Sequence, residues 1–138
     1  MAVDISITYD GDLHCTSLHE PSGSKLTTDA PVDNGGKGEY FSPTDLLAAA
    51  LGSCILTIMA LVAGRQKIDI TGTKVHVVKE MTIKPPRRIE SLKVTVTFPS
   101  ALKISDANIT RLKQAAGKCP VLASLNPEIA VETQFVYS

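Results

Sequence analysis

The feature that most constrains the fold is an almost unbroken apolar stretch over residues 46–63. The stretch is long enough to be considered as a membrane-spanning helix. However, it is rich in alanine, contains the small residues Gly52, Ser53 and Thr57, and lies between strand-like segments. These properties favour the core helix of a soluble protein, and no contact with a membrane is expected.

The residues around this stretch predict a helix that begins at Pro43 and runs to about Ala63. Ser42 suits the N-cap, Pro43 suits the first helical position, and Asp45 can return a hydrogen bond as in a capping box. Gly64 is the expected C-terminal stop. Because apolar residues lie on all sides of this helix, it must be covered on all sides. One small sheet cannot do so, and a second copy of the chain is the economical candidate.

Strand patterns occur on both sides of the helix. Before it, three short strands are predicted over residues 3–9, 13–18 and 25–28, with turn sequences between them. The first is expected to be half-buried, since apolar and polar residues alternate along it. After the helix, a long strand is predicted over residues 68–83 and a regularly alternating strand over residues 92–98. These two strands are expected to form a hairpin.

The remaining segments complete an α+β chain. A glycine-rich loop over residues 30–41 does not match a phosphate-binding loop and is interpreted as a flexible or substrate-covering loop. Two short helices are predicted to begin at Ser105 and at the Cys119-Pro120 pair, and a last strand spans residues 128–137. This order predicts a single α+β domain over residues 1–138, with mostly antiparallel sheets around a long buried helix.

Composition argues against several classes of function. Fourteen basic and fourteen acidic residues give a net charge of zero, so nucleic-acid binding is not expected. Three widely spaced cysteines without a CxxC pair indicate neither a disulfide framework nor a metal site. The first residues lack the pattern of a signal peptide, so a cytoplasmic location is expected. The histidines show no metal-ligand spacing and are interpreted as exposed strand residues: His14, His19 and His76.

Two of the three cysteines are candidates for redox chemistry. Cys54 lies inside the apolar helix, where a free cysteine often packs simply as a small apolar residue. Cys119 precedes Pro120 at a predicted N-cap, where amide groups and the helix dipole would stabilise a thiolate and lower the pKa of the thiol. A capping or packing role is the alternative for Cys119. Cys15 lies in an early strand and is interpreted as a structural or surface thiol.

The segments that carry these two cysteines resemble the OsmC/Ohr family. FSPTDLLAAALGSC places Cys54 deep in an alanine-rich helix, and AAGKCPVLASL places Cys119 before a proline about sixty-five residues later. The resemblance extends over nearly the whole chain. It implies an intertwined homodimer in which long helices are buried between two sheets.

The resemblance also implies a thiol peroxidase that reduces organic hydroperoxides. Cys54 would be the peroxidatic cysteine and become a sulfenic acid, and Cys119 would resolve it as a disulfide that a dithiol then reduces. The resemblance implies neither a metal nor a bound organic cofactor. The alternative is a non-catalytic dimer that binds an apolar small molecule or a partner, or that acts as a redox sensor.

The chain departs from the family pattern around the peroxidatic cysteine. Peroxidatic members of the family hold the thiolate with an Arg from the N-terminal half and a Glu directly after the helix-opening Pro. Here Arg65 is the first arginine, Asp29 stands around the place where the Arg is expected, and Thr44 stands at the Glu position. Without the Arg, burial disfavours the thiolate form of Cys54. Lys37, or another base from the glycine-rich loop, is a candidate replacement.

Overall fold

The computed structural model describes residues 1–137, in two compact units: one of residues 1–47 and one that begins at Ala48. The first unit contains three strands and a short 3-10 helix: β1 Ile5–Gly11, β2 His14–His19, β3 Ser24–Asp29 and Val32–Asn34. The long helix α1, Pro43–Arg65, begins in the first unit and continues in the second. The second unit adds three strands and two helices: β4 Lys74–Met81, β5 Ile89–Phe98, α2 Asp106–Ala116, α3 Pro120–Ser124 and β6 Ala130–Tyr137. The α+β class is confirmed.

The sheet of the first unit is an antiparallel meander in the order β1-β2-β3, as predicted. Within the chain, however, β1 is not half-buried. It is an edge strand, and its apolar residues Ile5, Ile7 and Tyr9 are each at least 60% exposed. The alternating apolar residues of β1 therefore form a row of side chains, the apolar row of β1, that is exposed to solvent in a single chain.

The sheet of the second unit has the order β4-β5-β6 and includes one parallel pairing beside the mostly antiparallel pairs that were predicted. β4 and β5 form the predicted antiparallel hairpin, but β6 runs parallel to β5. Parallel neighbours need a crossover connection, and α2 and α3 supply it between β5 and β6. The central strand β5 carries much of the core, since every second side chain is buried: Leu92, Val94, Val96 and Phe98.

The long strand predicted over residues 68–83 begins only at Lys74. The preceding residues form turns, in which Thr73 donates its backbone N–H to the carbonyl of Ile70. The side chain of Asp69 holds residues 69–71 in a turn. Its Oδ1 accepts hydrogen bonds from the backbone N and the Oγ1 of Thr71 at 2.9 and 2.6 Å. These local hydrogen bonds compete with strand pairing and explain the later start.

The start of α1 has the predicted capping box. The Ser42 hydroxyl accepts the backbone N–H of Asp45 at 3.1 Å, and the Asp45 carboxylate accepts the backbone N–H of Ser42 at 2.9 Å. Two amides that the helix leaves without a partner are satisfied in this way. The C-terminal end of α1 is at Arg65, one residue beyond Gly64, where the helix was predicted to stop.

One face of α1 forms part of the core of the second unit. Its buried residues recur at helical spacing: Ala48, Leu51, Gly52, Ile55, Met59 and Ala63. A Cβ at Gly52 would lie 3.2 Å from the side chains of Val75 and Val77, so glycine allows the close approach of α1 to β4. By length and a mean hydropathy of 2.4, α1 could span a membrane. Its packed face fits the predicted core helix, but within one chain the other face stays open, and Leu61 is 56% exposed.

Candidate redox site

The second unit brings Cys54 and Cys119 together. Cys54 lies on α1 beside the buried face and is half-buried, whereas Cys119 directly precedes α3 and is fully buried. Both are free thiols, and they lie close enough together that Cys54 raises the pKa of the Cys119 thiol. Both also belong to the apolar cluster that joins α1, β5 and α2. The two predicted site residues are therefore neighbours, although sixty-four residues separate them in the sequence.

Cys119 occupies the N-cap of α3, as the sequence predicts. Its backbone is not helical, with φ −59° and ψ 128°, because the ring of Pro120 disfavours a helical conformation in the preceding residue. The Cys119 Sγ accepts the backbone N–H of Leu122 at 3.5 Å, and its carbonyl accepts the N–H of Ala123 at 3.0 Å. The backbone thus fixes the position of this sulfur.

The expected lowering of the pKa of Cys119 is wrong. Burial and the hydrogen bond with Cys54 raise the pKa of the Cys119 thiol above its ordinary value, and the amides of Leu122 and Val121 offset these effects only in part. α3 is five residues long, so few aligned peptide groups act on the sulfur. Cys119 is consequently a protonated thiol at neutral pH, and it can donate a hydrogen bond to the sulfur of Cys54.

Lys37, the candidate replacement for the missing Arg, is engaged within the first unit. Its Nζ lies 3.1 Å from Oδ2 of Asp12. This hydrogen bond and the charge of Asp12 raise the pKa of Lys37, with a further contribution from Glu39. Cys15 is also in the first unit, half-buried on β2 between its strand partners Tyr9 and Thr28. Neither observation gives these residues a role in thiol chemistry.

Sequence reasoning missed a polar cluster in the first unit. The Nε2 atom of His14 lies 3.6 Å from Oδ2 of Asp29 and 3.9 Å from Oε1 of Glu39. Strand register is the signal that could have found it, because His14 and Asp29 are direct partners across β2 and β3. Direct partners in an antiparallel pair project from the same face of the sheet.

The helix on a three-stranded sheet and the adjacent thiols define an α+β protein with a two-cysteine site. The sequence model for "OsmC-like protein" matches residues 36–134. The chain therefore belongs to the OsmC-like family, which confirms the resemblance seen in its sequence. No match was found among curated protein sequences.

Solved structures show the same fold. A Psychrobacter arcticus protein described as an osmotic stress induced and detoxification response protein is 41% identical to this chain, with a TM-score of 0.89. The match covers 95% of this chain and 93% of the Psychrobacter chain. An OsmC-like protein from Mycoplasma pneumoniae is 17% identical, with a TM-score of 0.81 and coverage of 99% and 97%. An organic hydroperoxide resistance protein from Elizabethkingia anophelis is 18% identical, with a TM-score of 0.75 and coverage of 100% and 96%. The last two comparisons, at such low identity, concern the fold alone.

Proposed function

We propose that this protein is a cytoplasmic thiol peroxidase that reduces organic hydroperoxides through Cys54 and Cys119. The observation that carries the proposal is the proximity of the two thiols, since Cys54 raises the pKa of the Cys119 thiol. Cys119 lies in the apolar cluster of the second unit and Cys54 packs against it, and a disulfide requires such closeness. Membership of the OsmC-like family, and the shared fold of proteins named for organic hydroperoxide resistance, add support.

The burial of the two cysteines supports their division of roles. Cys54 is half-buried and so can meet a substrate, whereas Cys119 is fully buried. The protonated Cys119 thiol would donate a hydrogen bond to a thiolate at Cys54 and stabilise its negative charge. Cys119 thus supplies part of the stabilisation that an Arg would give, before it acts as the resolving thiol.

The proposed reaction has three steps. The Cys54 thiolate attacks the terminal oxygen of a hydroperoxide ROOH, the O–O bond breaks, and the alkoxide takes up a proton and leaves as the alcohol ROH. Cys119 then attacks the sulfenic acid of Cys54, a disulfide forms, and the hydroxyl group leaves as water with the proton of Cys119. A dithiol reduces this disulfide by thiol exchange and becomes a disulfide itself. The net reaction converts ROOH and the dithiol to ROH, water and the oxidised dithiol.

A single equivalent of cumene hydroperoxide is expected to form an intramolecular disulfide between Cys54 and Cys119 in the reduced protein. Mass spectrometry should show the loss of two hydrogen atoms and one crosslinked peptide pair. A Cys15→Ser variant is the matched control and should form the same crosslink. Free Cys54 and Cys119 after full consumption of the peroxide, or a crosslink to Cys15, would contradict the proposal.

We also propose that the active form is a homodimer. The outer face of α1 carries exposed apolar residues, including Leu47 and Leu61, and the apolar row of β1 is exposed in a single chain. A helix that is apolar on both faces is stable in water only when both faces are covered. A second copy of α1 would present the same apolar outer face and so would cover this one. Such pairing agrees with the dimer that the family resemblance implies.

Leu61→Asp is expected to weaken dimerisation, because it would bury an unpaired carboxylate at the proposed interface. Sedimentation of the purified protein should show a dimer for the wild type and a dissociation constant raised by at least about 100-fold for the variant. Ile83→Asp is the control, since Ile83 is also exposed but lies in the loop after β4. A monomeric wild-type protein at micromolar concentration would refute the dimer.

A second candidate function is the binding of an apolar small molecule without turnover. A groove of about 460 Å³ in the second unit supports it, because the residues that line it include Leu56, Ala60, Ile68 and Ile70. This groove is lined by neither Cys54 nor Cys119. Binding of an apolar ligand that persists unchanged in Cys54→Ser, together with no peroxide-induced disulfide, would favour this function over the peroxidase.

A further inference from the structure

The polar cluster of the first unit is formed by two strands and the loop that follows them. His14 is the first residue of β2, and Asp29, its direct strand partner, is the last residue of β3. The loop returns Glu39 to this sheet edge, where the Asp29 Oδ2 accepts the backbone N–H groups of Lys37 and Glu39 at 3.2 and 3.1 Å. The rings of Tyr40 and His14 are nearly perpendicular, with centroids 5.7 Å apart. Local structure therefore fixes both the carboxylate and the imidazole.

The cluster contains a buried carboxylate oxygen that the protein leaves unsatisfied. The side chain of Asp29 is 0% exposed, and its Oδ1 has no hydrogen-bond partner within residues 1–137. A buried polar atom without a partner costs about 1–3 kcal/mol, and more if it is charged, so it calls for an explanation. Oδ2 of the same carboxylate lies 3.6 Å from Nε2 of His14. A cation bound by both oxygens of Asp29 would satisfy Oδ1.

The electrostatics of the cluster favour a cation. The ammonium group of Lys37 forms its hydrogen bond with Asp12, although the charges of Glu39 and Asp29 also act on it. Two carboxylates and one imidazole thus face one another in a partly buried site.

We propose that His14, Asp29 and Glu39 bind one divalent transition-metal ion. A donor atom from each residue lies within 4.8 Å of the other two. Ligands at about 2.0–2.2 Å from Zn²⁺ are about 3.4 Å apart in a tetrahedral site, so the observed 3.6 and 3.9 Å need only a small contraction. An imidazole with two carboxylates suits Zn²⁺ or Mn²⁺ better than Ca²⁺ or Mg²⁺, which prefer oxygen ligands alone.

The burial of the ligands determines how the ion would enter the site. Asp29 forms the buried side of the site. The backbone amides of Lys37 and Glu39 donate hydrogen bonds to its carboxylate and orient it, as hydrogen bonds from neighbouring groups orient the ligands of metal sites in general. Glu39 is 49% exposed at the side chain and forms the open side, where water would complete the coordination of a bound ion. The ion would join β2, β3 and the glycine-rich loop, and so would stabilise the native first unit by preferential binding.

The test is calorimetric titration of the chelator-treated chain with ZnCl₂. The chain carries Cys15→Ser, Cys54→Ser and Cys119→Ser, so that no thiol can bind the ion. One Zn²⁺ per chain is expected, and His14→Ala and Glu39→Gln should each weaken binding by at least about 10–100-fold. His76→Ala is the control, because His76 is exposed on β4, and it should leave binding unchanged.

Absence of Zn²⁺ binding would overturn the metal site. So would affinities of the His14→Ala and Glu39→Gln variants equal to that of the cysteine-free chain without these changes. If the cysteine-free chain does not fold, the visible spectrum of Co²⁺ bound to the wild-type chain decides the question. Bands of oxygen and nitrogen ligation that disappear in Glu39→Gln support the site, whereas a thiolate charge-transfer band refutes it. Since the cysteines take no part, this outcome is independent of the peroxidase activity.

Discussion

Cys54→Ser is expected to lower kcat/KM for cumene hydroperoxide by at least about 10³-fold, to the rate of the uncatalysed reaction. A serine hydroxyl is far less acidic and less nucleophilic than a thiol, so it cannot attack the peroxide oxygen at neutral pH. The change also removes the partner of the Cys119 thiol. Stopped-flow measurement of peroxide consumption by the reduced protein, with excess dithiol, gives the rate directly.

Cys119→Ser separates the first chemical step from the second. Serine is a good N-cap residue, so the start of α3 should be retained in this variant. The variant is expected to consume about one equivalent of peroxide per chain in the first turnover and then to slow, because the sulfenic acid of Cys54 has no resolving thiol. Dimedone should trap that sulfenic acid.

Cys15→Ser serves as the control for both substitutions, since Cys15 lies on β2 in the first unit. Its rate should equal that of the wild type. If the wild-type rate is no higher than that of a free thiol, and if all three variants share this rate, the peroxidase proposal is wrong. Turnover that depends on Cys119 but survives Cys54→Ser would reverse the two roles.

Features encoded by neighbouring residues could be predicted from the sequence. The capping box of Ser42 and Asp45 is specified within four residues, and so is the N-cap at Cys119 before Pro120. The strand β5 was clear because its side chains alternate without interruption. In each case a local hydrogen bond, a proline ring or a strict period determines the conformation, whatever the rest of the chain does.

Features that depend on distant partners could not be predicted in the same way. The parallel pairing of β6 depends on which side of β5 the crossover through α2 and α3 takes, and no local pattern specifies this choice. The pKa of Cys119 was predicted in the wrong direction because burial and Cys54 together outweigh the amides of a five-residue helix. The cluster of His14, Asp29 and Glu39 required the register of β2 and β3.

Phe98→Ala is expected to destabilise the protein by about 3–5 kcal/mol, which is a large part of the stability of an ordinary domain. Phe98 is fully buried at the end of β5 and is the largest fully buried side chain. Its ring lies 6.3 Å from that of Phe135 and 5.7 Å from that of Tyr137, both on the parallel strand β6. Truncation would therefore remove apolar contacts and leave a cavity between these two strands.

Urea unfolding at one fixed protein concentration measures this loss, because the proposed dimer makes stability depend on concentration. The midpoint should fall while the slope stays constant, as expected when the native contacts are weakened and the unfolded state is unchanged. Ile83→Ala is the control in the same unit: Ile83 is 97% exposed, and its truncation should change stability by less than about 0.5 kcal/mol. A Phe98→Ala variant as stable as Ile83→Ala would mean that β5 and β6 do not pack as described. In that case the parallel pairing through α2 and α3, which also positions Cys119, would have to be abandoned.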